Sequence, residues 1–454
     1  MALLHKKIRV GMFFDGTGCN ANNIYSINGG KGVDIGTNNS YSGYPSNIYR
    51  LFKSYKEINN ECEISFPIYV EGVGTKNNAQ DSLIAEGFGI DVPFLGVNGY
   101  GVFSKYENSI KYTLVKLGEI LKKDSAERFS IEFDVFGFSR GAAISRHFTN
   151  NIEKRYCDFL KIFENAKKIL AKELKINFLG LFDTVATVWT LRNALWSDPH
   201  DTGDTNGLDV LLKDELPFSC FQITAMHECR YNFPLHQIPK NGVEITLPGC
   251  HSDIGGGYHL KLDEFIFLTK KYYNHPFQKE DVPRKLALED LNLIKSNHTW
   301  ESLTSEADVK RLKWKRMKSC SFYQGVSNKN KSGELQFIYG AVMLSAAINK
   351  ADCPFDIDAY YKQVSIPDDL KPSHQKSLVI MNEAINGHVF TSFTDDELRY
   401  LCDNYIHISF DWRNALSDVI MDEETSIDKP VINSTWGDEC PNRPEATLGR
   451  KVYK

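Results

Sequence analysis

Segments with strand character alternate with helix-like segments over roughly the first 260 residues, and this alternation constrains the fold more than any other feature. Apolar, β-rich runs are separated by stretches in which apolar residues recur at helical spacing, as in "PSNIYRLFKSYKEI" and "ENSIKYTLVKLGEILKK". Strands joined through helices imply parallel βαβ units. We therefore predict an α/β protein with a mostly parallel sheet, whose functional residues follow the carboxyl ends of the strands. Six strands are predicted, in the runs Ile8–Phe14, Phe66–Thr75, Phe129–Phe138, Lys175–Val185, Ser219–Arg230 and Val243–His251.

Composition excludes several classes of protein. The 454 residues are 42% hydrophobic and 24% charged, which is typical of a globular protein. The formal charge of −5 gives no electrostatic case for binding nucleic acid. No apolar run is long enough for a transmembrane helix, and the first residues lack the features of a signal peptide. We expect a chain made in the cytoplasm that does not use the general secretory route.

The ten cysteines are scattered and form no Cys-x-x-Cys pair, so a zinc cluster is disfavoured. Free, buried thiols are the expected state. We predict neither a metal nor a cofactor for this chain.

The pattern changes near residue 260. Beyond it, "GELQFIYGAVMLSAAINK" and "TDDELRYLCDNYI" have helical character, and a charged, aromatic-rich segment precedes them. We predict a catalytic core over residues 1–260, and a mainly helical cap or membrane-facing region over 261–454 that packs on this core.

The third predicted strand runs directly into Gly-Phe-Ser-Arg-Gly, and a segment of small residues follows. A Gly-x-Ser-x-Gly motif between a strand and a helix is the nucleophile elbow of α/β-hydrolases, in which the serine lies on a strained turn. Gly137 and Gly141 supply the small neighbours that this turn requires. The pentapeptide alone is weak evidence, and Ser139 as a structural turn residue is the alternative. Its context favours Ser139 as a nucleophile on an α/β-hydrolase-like fold.

A serine hydroxyl needs a base, and the base needs an orienting acid. The hydrolase order is Ser, then an acid, then His. Asp183 and His251 follow Ser139 in that order, and each lies at the predicted end of a strand. The alternatives are that Asp183 caps a helix and that His251 is a buried structural histidine. Rival acids and bases exist: Glu228, Asp253, His147, His227 and His407. Of these, His147 is too far along the nucleophile helix to reach Ser139.

An oxyanion hole needs backbone N–H donors. Arg140 follows the nucleophile, and its amide is the expected first donor. The loop "DGTG" after the first strand offers Gly16 and Thr17 for the second donor. A phosphate-binding loop is the alternative, but the motif lacks the Gly-Lys-Ser/Thr ending.

Six motifs together resemble the catalytic domain of the bacterial type VI secretion phospholipase effectors, whose elbow reads GFSRGA. They occur in order over roughly residues 8–260: "FFDGTGCN", "VEGVGT", "FDVFGFSRGAA", "GLFDTVATV", "AMHECR" and "LPGCHSDIGGGY". The resemblance implies an α/β-hydrolase core with a Ser139, Asp183 and His251 triad, and phospholipase A activity on bacterial membranes. It also implies a type VI spike component as partner, delivery to the periplasm of a target cell, and an immunity protein. Cys250 departs from the family, which has Val or Ile before the histidine.

Two segments are candidates for peripheral contact with a membrane. "KRLKWKRMK" (310–318) carries six basic residues in nine, and Trp314 among them could insert at the interface. A solvated helix face is the alternative interpretation. The aromatic, Gly-rich segment from Glu86 to Phe103 could rim the pocket. Other esterases or acyltransferases of this fold, and a binding module on an inactive hydrolase scaffold, remain alternative functions.

Overall fold

The computed structural model describes residues 5–26, 39–188, 205–274, 281–314, 321–412, 417–422, 428–432 and 442–453. Across this part of the chain, a seven-stranded sheet has the order β2-β3-β1-β4-β5-β6-β8. All neighbouring pairs in it are parallel except β2–β3. The mixed α/β architecture with a mostly parallel sheet is as predicted. The strands are β1 (His5–Phe14), β2 (Ile58–Asn59), β3 (Glu63–Val70), β4 (Arg128–Phe138), β5 (Ile169–Phe182), β6 (Ser219–Ala225), β7 (Leu235–His236) and β8 (Val243–Leu247).

Seven helices accompany this sheet in the described residues up to 188, and seven follow. The first seven are α1 (Ala21–Ser26), α2 (Asn39–Ser42), α3 (Asn47–Ser54), α4 (Leu83–Phe88), α5 (Val102–Leu121), α6 (Arg140–Asn151) and α7 (Tyr156–Asn165). The others are α8 (His251–Gly255), α9 (Asp281–Lys295), α10 (Glu301–Thr304), α11 (Leu335–Ala351), α12 (Ile357–Tyr361), α13 (Lys371–Ile385) and α14 (Asp395–Asn404).

The sheet is covered on both faces, which explains why its strands read as continuous apolar runs. Successive side chains of a strand point to opposite faces. Phe13 therefore belongs to one core cluster and Phe14 to the other, and both are almost fully buried. Phe13 stacks on Phe136 of the neighbouring strand, with ring centroids 5.0 Å apart. The two core clusters hold the strands of the sheet in place. The sheet in turn positions the loops at its carboxyl edge.

Helix α3 has a capping residue, Ser46, at its N-terminus. Ser46 has extended backbone angles, and its hydroxyl accepts a hydrogen bond from the amide of Tyr49. This satisfies one of the free N–H groups of the first turn. The same hydroxyl donates to Asp15 at 2.6 Å, so the cap also contacts the loop that follows β1.

The region after residue 260 contains the predicted helices and also a sheet that was not predicted from the sequence. Besides helices it contains, within the described residues, a six-stranded antiparallel sheet in which β9 and β10 flank one side of β12. Strand β12 is buried along six consecutive residues, 322–327, so its sequence lacks the alternation of polar and apolar residues that would have indicated a strand. The strands are β9 (Lys261–Phe267), β10 (Tyr272–Tyr273), β11 (Asp308–Trp314), β12 (Ser321–Ser332), β13 (Ser417–Asp422) and β14 (Asp428–Ile432); β15 (Val452–Tyr453) pairs with β7 instead.

Helix α11 also changes how the two predicted regions relate. Twelve of its residues are buried, and nine of these belong to the core cluster that holds Phe13. A helix that is apolar on all sides is a buried helix. Residues beyond 260 therefore form part of the core on one face of the central sheet. A catalytic core limited to residues 1–260 stays a prediction.

The basic segment 310–318 is partly described. Residues 310–314 lie in strand β11, not in a helix, and residues 315–318 lie outside the described part of the chain. Among the described helices, none has the length and apolar character needed to cross a bilayer.

Candidate active site

Ser139 lies on a sharp turn between β4 and α6. Its backbone angles are φ 58° and ψ −126°, a conformation that side-chain-bearing residues rarely adopt. The turn is possible because its glycines have no side chain. A Cβ on Gly141 would lie 2.3 Å from the carbonyl oxygen of Phe14, and one on Gly137 would lie 2.5 Å from the carbonyl oxygen of Gly141. The predicted elbow is therefore present in geometry as well as in sequence.

A cavity of about 860 Å³ opens at this turn. Ser139 and His251 both line it, as does Thr17 from the loop after β1. Aromatic rings form much of the wall, among them Tyr44, Phe88, Phe138, Phe233 and Tyr258. A mostly apolar cavity of this size with a few polar groups is typical of a small-molecule site.

His251 is held from two sides. Its Nδ1 lies 2.5 Å from Oδ2 of Asp183, and the rings of Phe138 and Phe233 flank the imidazole. The residue begins the short helix α8, four positions after β8 ends at Leu247, so the predicted sixth strand is too long. Burial lowers the pKa of His251, although the hydrogen bond that it donates to Asp183 opposes this shift. A neutral imidazole near pH 7 is suited to accept a proton.

Asp183 follows β5 and has a positive φ of 44°. Its Oδ1 accepts a hydrogen bond from the backbone amide of Ala225 at 2.9 Å. It also receives two hydrogen bonds from Arg450, which the sequence gave no reason to consider. Burial alone would raise the pKa of Asp183, but Arg450 and His251 hold it well below its usual range. The carboxylate is ionised.

The rival acid Glu228 has another partner. Its carboxylate pairs with Arg230 at 2.8 Å and accepts a hydrogen bond from the backbone amide of His251, not from the ring. Burial would raise the pKa of Glu228, yet the Arg230 pair lowers it to about 2. This residue supports the peptide chain that carries His251.

The rival acid Asp253 binds His407. Its Oδ1 lies 2.7 Å from Nδ1 of His407, and its Oδ2 accepts a hydrogen bond from the amide of Cys250, the residue that precedes helix α8. His407, which lies far from Ser139 in the sequence, is thus paired with Asp253. Its ring stacks on Tyr258, with ring centroids 3.9 Å apart. The Asp253–His407 pair anchors helix α8, which carries His251, to the segment around residue 407.

The other two histidines also have structural partners. His227 accepts a hydrogen bond from the amide of Gly249, and burial lowers its pKa to about 4. His147 accepts one from the amide of Asp209 and contacts the ring of Tyr106. Of the histidines considered from the sequence, His251 is the one that the structure brings to the cavity with Ser139.

The loop after β1 is rigid where an oxyanion hole is expected. Asp15 accepts hydrogen bonds from Ser46, Tyr69 and the amide of Gly16. The Gly16 amide is therefore committed to Asp15, which leaves Thr17 as the better second donor of the two. Thr17 contacts the nucleophile helix directly, because its Oγ1 accepts a hydrogen bond from Nε of Arg140 at 2.7 Å.

Two further features bear on the chemistry. The Cys250 thiol beside His251 is buried, which raises its pKa well above the ordinary value, so it is not a thiolate. Glu86 lines the cavity, and burial raises its pKa to about 7. Sequence reasoning placed Glu86 at the start of a segment that could rim the pocket but gave its carboxyl group no role; Glu86 and Phe88 of that segment line the cavity. Of the eight cysteines in the described residues, five are buried, and no group of three potential metal ligands occurs there.

Part of the chain matches a known protein family. Residues 160–277, which include Asp183 and His251, match the family model "T6SS, Phospholipase effector Tle1-like, catalytic domain". The resemblance to the type VI secretion phospholipase effectors is confirmed. The Tle1-like match covers about a quarter of the chain and begins after the elbow, so Ser139 lies outside it. No curated protein matches the sequence.

The fold is similar to a solved structure described as the Tle1 effector bound to the VgrG spike from the type 6 secretion system. That similarity has a TM-score of 0.70 at 22% identity, and it covers 99% of this chain and 94% of the other. An uncharacterized protein from Pseudomonas aeruginosa matches at 18% identity over 88% of this chain and 52% of its own, with a TM-score of 0.38. The first comparison extends the Tle1-like architecture over nearly the whole chain.

Proposed function

We propose that this protein is a serine phospholipase of the α/β-hydrolase type, with Ser139 as nucleophile, His251 as base and Asp183 as the acid that orients it. The observation that carries this proposal is the His251–Asp183 hydrogen bond at the cavity that Ser139 lines from a strained turn. The Tle1-like match supports an ester of a membrane phospholipid as the substrate.

In the proposed reaction, Oγ of Ser139 attacks the ester carbonyl carbon while Nε2 of His251 accepts the hydroxyl proton. Asp183 keeps the Nδ1 proton of His251 in place and stabilises the imidazolium. The carbonyl π electrons move to oxygen, and the resulting oxyanion is bound by the amides of Arg140 and Thr17. When the tetrahedral intermediate collapses, the lysophospholipid alcohol leaves with the proton from His251. The product at this stage is an acyl-Ser139 ester.

Water then completes the reaction. His251 removes a proton from water, the hydroxide oxygen attacks the acyl carbon, and Ser139 leaves with that proton as the fatty acid is released. Both steps develop charge at the same oxygen, so the same donors serve twice. A cavity of about 860 Å³ walled by aromatic rings can accommodate an acyl chain beside the serine.

We further propose phospholipase A specificity and an antibacterial role. The Tle1-like match and the structural similarity to an effector on a VgrG spike support delivery by type VI secretion. A spike component is then one partner, the target-cell periplasm is the destination, and an immunity protein protects the producer. Contact with the phospholipid surface is peripheral.

Vesicles of phosphatidylethanolamine and phosphatidylglycerol, incubated with the pure protein, provide the test. Mass spectrometry should detect free fatty acid and lysophospholipid, and Ser139→Ala should lower the rate by about 10⁴ to 10⁶. A fluorophosphonate should label the wild type but not Ser139→Ala. Intact lipids together with equal labelling of both proteins would contradict the proposal and return Ser139 to a structural role.

A second test separates a phospholipase from another esterase of the same fold. Both enzymes cleave a short soluble ester, but only a phospholipase should release fatty acid from the vesicles at a comparable or greater rate. Transfer of the acyl group to an added alcohol in preference to water would instead indicate an acyltransferase.

A further inference from the structure

Arg450 contacts Asp183 across a sequence separation of 267 residues. Its Nη1 donates to Oδ1 at 2.6 Å and its Nη2 donates to Oδ2 at 2.9 Å. The Arg450 side chain is 7% exposed and the Asp183 side chain is fully buried. A guanidinium that binds both oxygens of one carboxylate fixes the plane of that carboxylate as well as its charge.

The guanidinium is itself held in place. Its Nε donates to the carbonyl oxygen of Phe233 at 2.7 Å. The neighbouring Lys451 carbonyl accepts the amide of Leu235, and β15 continues from there as a parallel strand beside β7. Three donors of Arg450 and the backbone on its carboxyl side are thus fixed, so the side chain is preorganised.

The carboxylate of Asp183 has no acceptor site left over. Oδ1 accepts from Arg450 and from the amide of Ala225, and Oδ2 accepts from Arg450 and from His251. Two carboxylate oxygens offer about four lone-pair sites. With all of them used, Asp183 cannot turn away from the imidazole.

We propose that Arg450 is a positioning residue for the active site: its guanidinium fixes the Asp183 carboxylate against Nδ1 of His251, and its charge limits how strongly Asp183 stabilises the protonated imidazole. This inference rests on the function proposed above. It assigns to the 442–453 segment a direct part in aligning a base that lies some 200 residues earlier in the chain.

The charge effect follows from the groups that surround His251. Asp183 contacts the ring, Glu228 accepts its backbone amide, and Arg230 lies beside Glu228. Among the described residues, the other charged or titratable groups nearby are Arg450 behind Asp183, Asp253 on the same helix, and Glu86, Arg140 and His259, which line the cavity. Removing the charge of Arg450 leaves Asp183 with less compensation, so protonated His251 becomes more favourable.

The test is the pH dependence of kcat/KM on a short soluble ester, with the full chain. In Arg450→Met, we expect kcat to fall by about tenfold to a hundredfold, the loss typical when the residue that orients a metal-binding histidine is removed. KM should change little, because Arg450 does not line the cavity. The acidic limb of the profile should move upward by about one pH unit.

Two matched variants separate orientation, charge and folding. Arg450→Lys keeps the charge but loses the two-pronged geometry, so kcat should fall while the acidic limb stays at its wild-type position. Arg443→Met makes the same substitution in the same segment, at a residue that packs on the ring of Tyr231 and does not touch Asp183. It should leave kcat and the acidic limb unchanged.

The proposal is overturned if Arg450→Met and Arg443→Met give the same kcat and the same acidic limb, since Arg450 would then act only by anchoring its segment. If Arg450→Met does not fold by circular dichroism, Arg450→Lys decides the matter: a wild-type kcat overturns the proposal and a reduced kcat supports it. A wild type that neither hydrolyses esters nor reacts with fluorophosphonate would instead contradict the proposed function.

Discussion

Arg140 donates a hydrogen bond from its Nε to Oγ1 of Thr17 at 2.7 Å, which joins the helix after Ser139 to the loop after β1. The same guanidinium donates to the carbonyl oxygen of Glu86 in α4. One side chain thus connects the two expected oxyanion donors and the cavity wall. The position of the Thr17 amide depends on this bond.

Replacing Thr17 with Val tests that dependence. The change keeps the shape of the side chain but removes the oxygen that Arg140 binds, so the Thr17 amide is held less firmly. We expect kcat to fall by about tenfold, less than the 10² to 10³ seen when an oxyanion donor is lost outright. Thr17→Ser retains the oxygen and should be close to wild type. Equal rates for Val and Ser on a soluble ester would rule out a role for this hydrogen bond.

The choice among the three acids makes a second prediction. Asp183→Asn should lower kcat by about 10⁴, because an amide cannot hold His251 in the required tautomer. Glu228→Gln and Asp253→Asn should lower kcat less but reduce stability, since each breaks a buried pair at a cost of about 3–5 kcal/mol. Urea unfolding and initial rates measure the two effects separately. A fully active Asp183→Asn beside an inactive Glu228→Gln would move the acid to the loop after β6.

Glu264 makes a prediction about stability and pH. It is buried and accepts a hydrogen bond from the amide of Ile408. Burial raises its pKa from 4.5 to about 7. A raised folded pKa means that its contribution is complete below about pH 4.5 and is lost as pH rises through 7. Relative to wild type, Glu264→Gln should therefore gain about 2 kcal/mol of unfolding free energy between pH 5.5 and 8.

Urea unfolding at the two pH values provides the measurement. Glu119→Gln, at an exposed position of α5, is the control and should give the same difference from wild type at both. A constant difference for Glu264→Gln as well would mean that its carboxyl group titrates normally.

The membrane contact makes the last prediction. Phe94 and Leu95 are 77% and 55% exposed at a turn that follows α4, whose residues Glu86 and Phe88 line the cavity. Exposed apolar side chains beside the cavity can insert into a lipid surface. Replacing Phe94 and Leu95 with Ser should weaken vesicle co-sedimentation at least about tenfold, with hydrolysis of a soluble ester unchanged.

The basic segment 310–318 offers the competing surface. Reversing the charge of Lys313, Lys315 and Arg316 to Glu should weaken binding only to anionic vesicles, and only at low salt. If this variant loses binding while the Ser variant of Phe94 and Leu95 retains it, the membrane contact lies on the basic segment.

Contacts between neighbouring residues along the chain are enough to predict the local elements that build the site. The helical period around Ile48 and the strand-to-helix turn at Ser139 are properties of neighbouring residues, and each is found where it was predicted. The order of Asp183 and His251 after strands also follows from sequence, because parallel strands end at one edge of their sheet.

Which charged side chains pair with one another depends on the packing of distant segments, and it is seen only in the folded structure. The sequence offered three carboxylates as the acid that orients His251, those of Asp183, Glu228 and Asp253. Only packing shows that Asp183 faces the ring of His251 while Asp253 faces His407. Arg450 carries no local signal at all, since its partner is 267 residues away and the pairing depends on β15 lying beside β7. Periodicity reports which face of an element is buried, but a contact between distant segments is fixed by the fold as a whole.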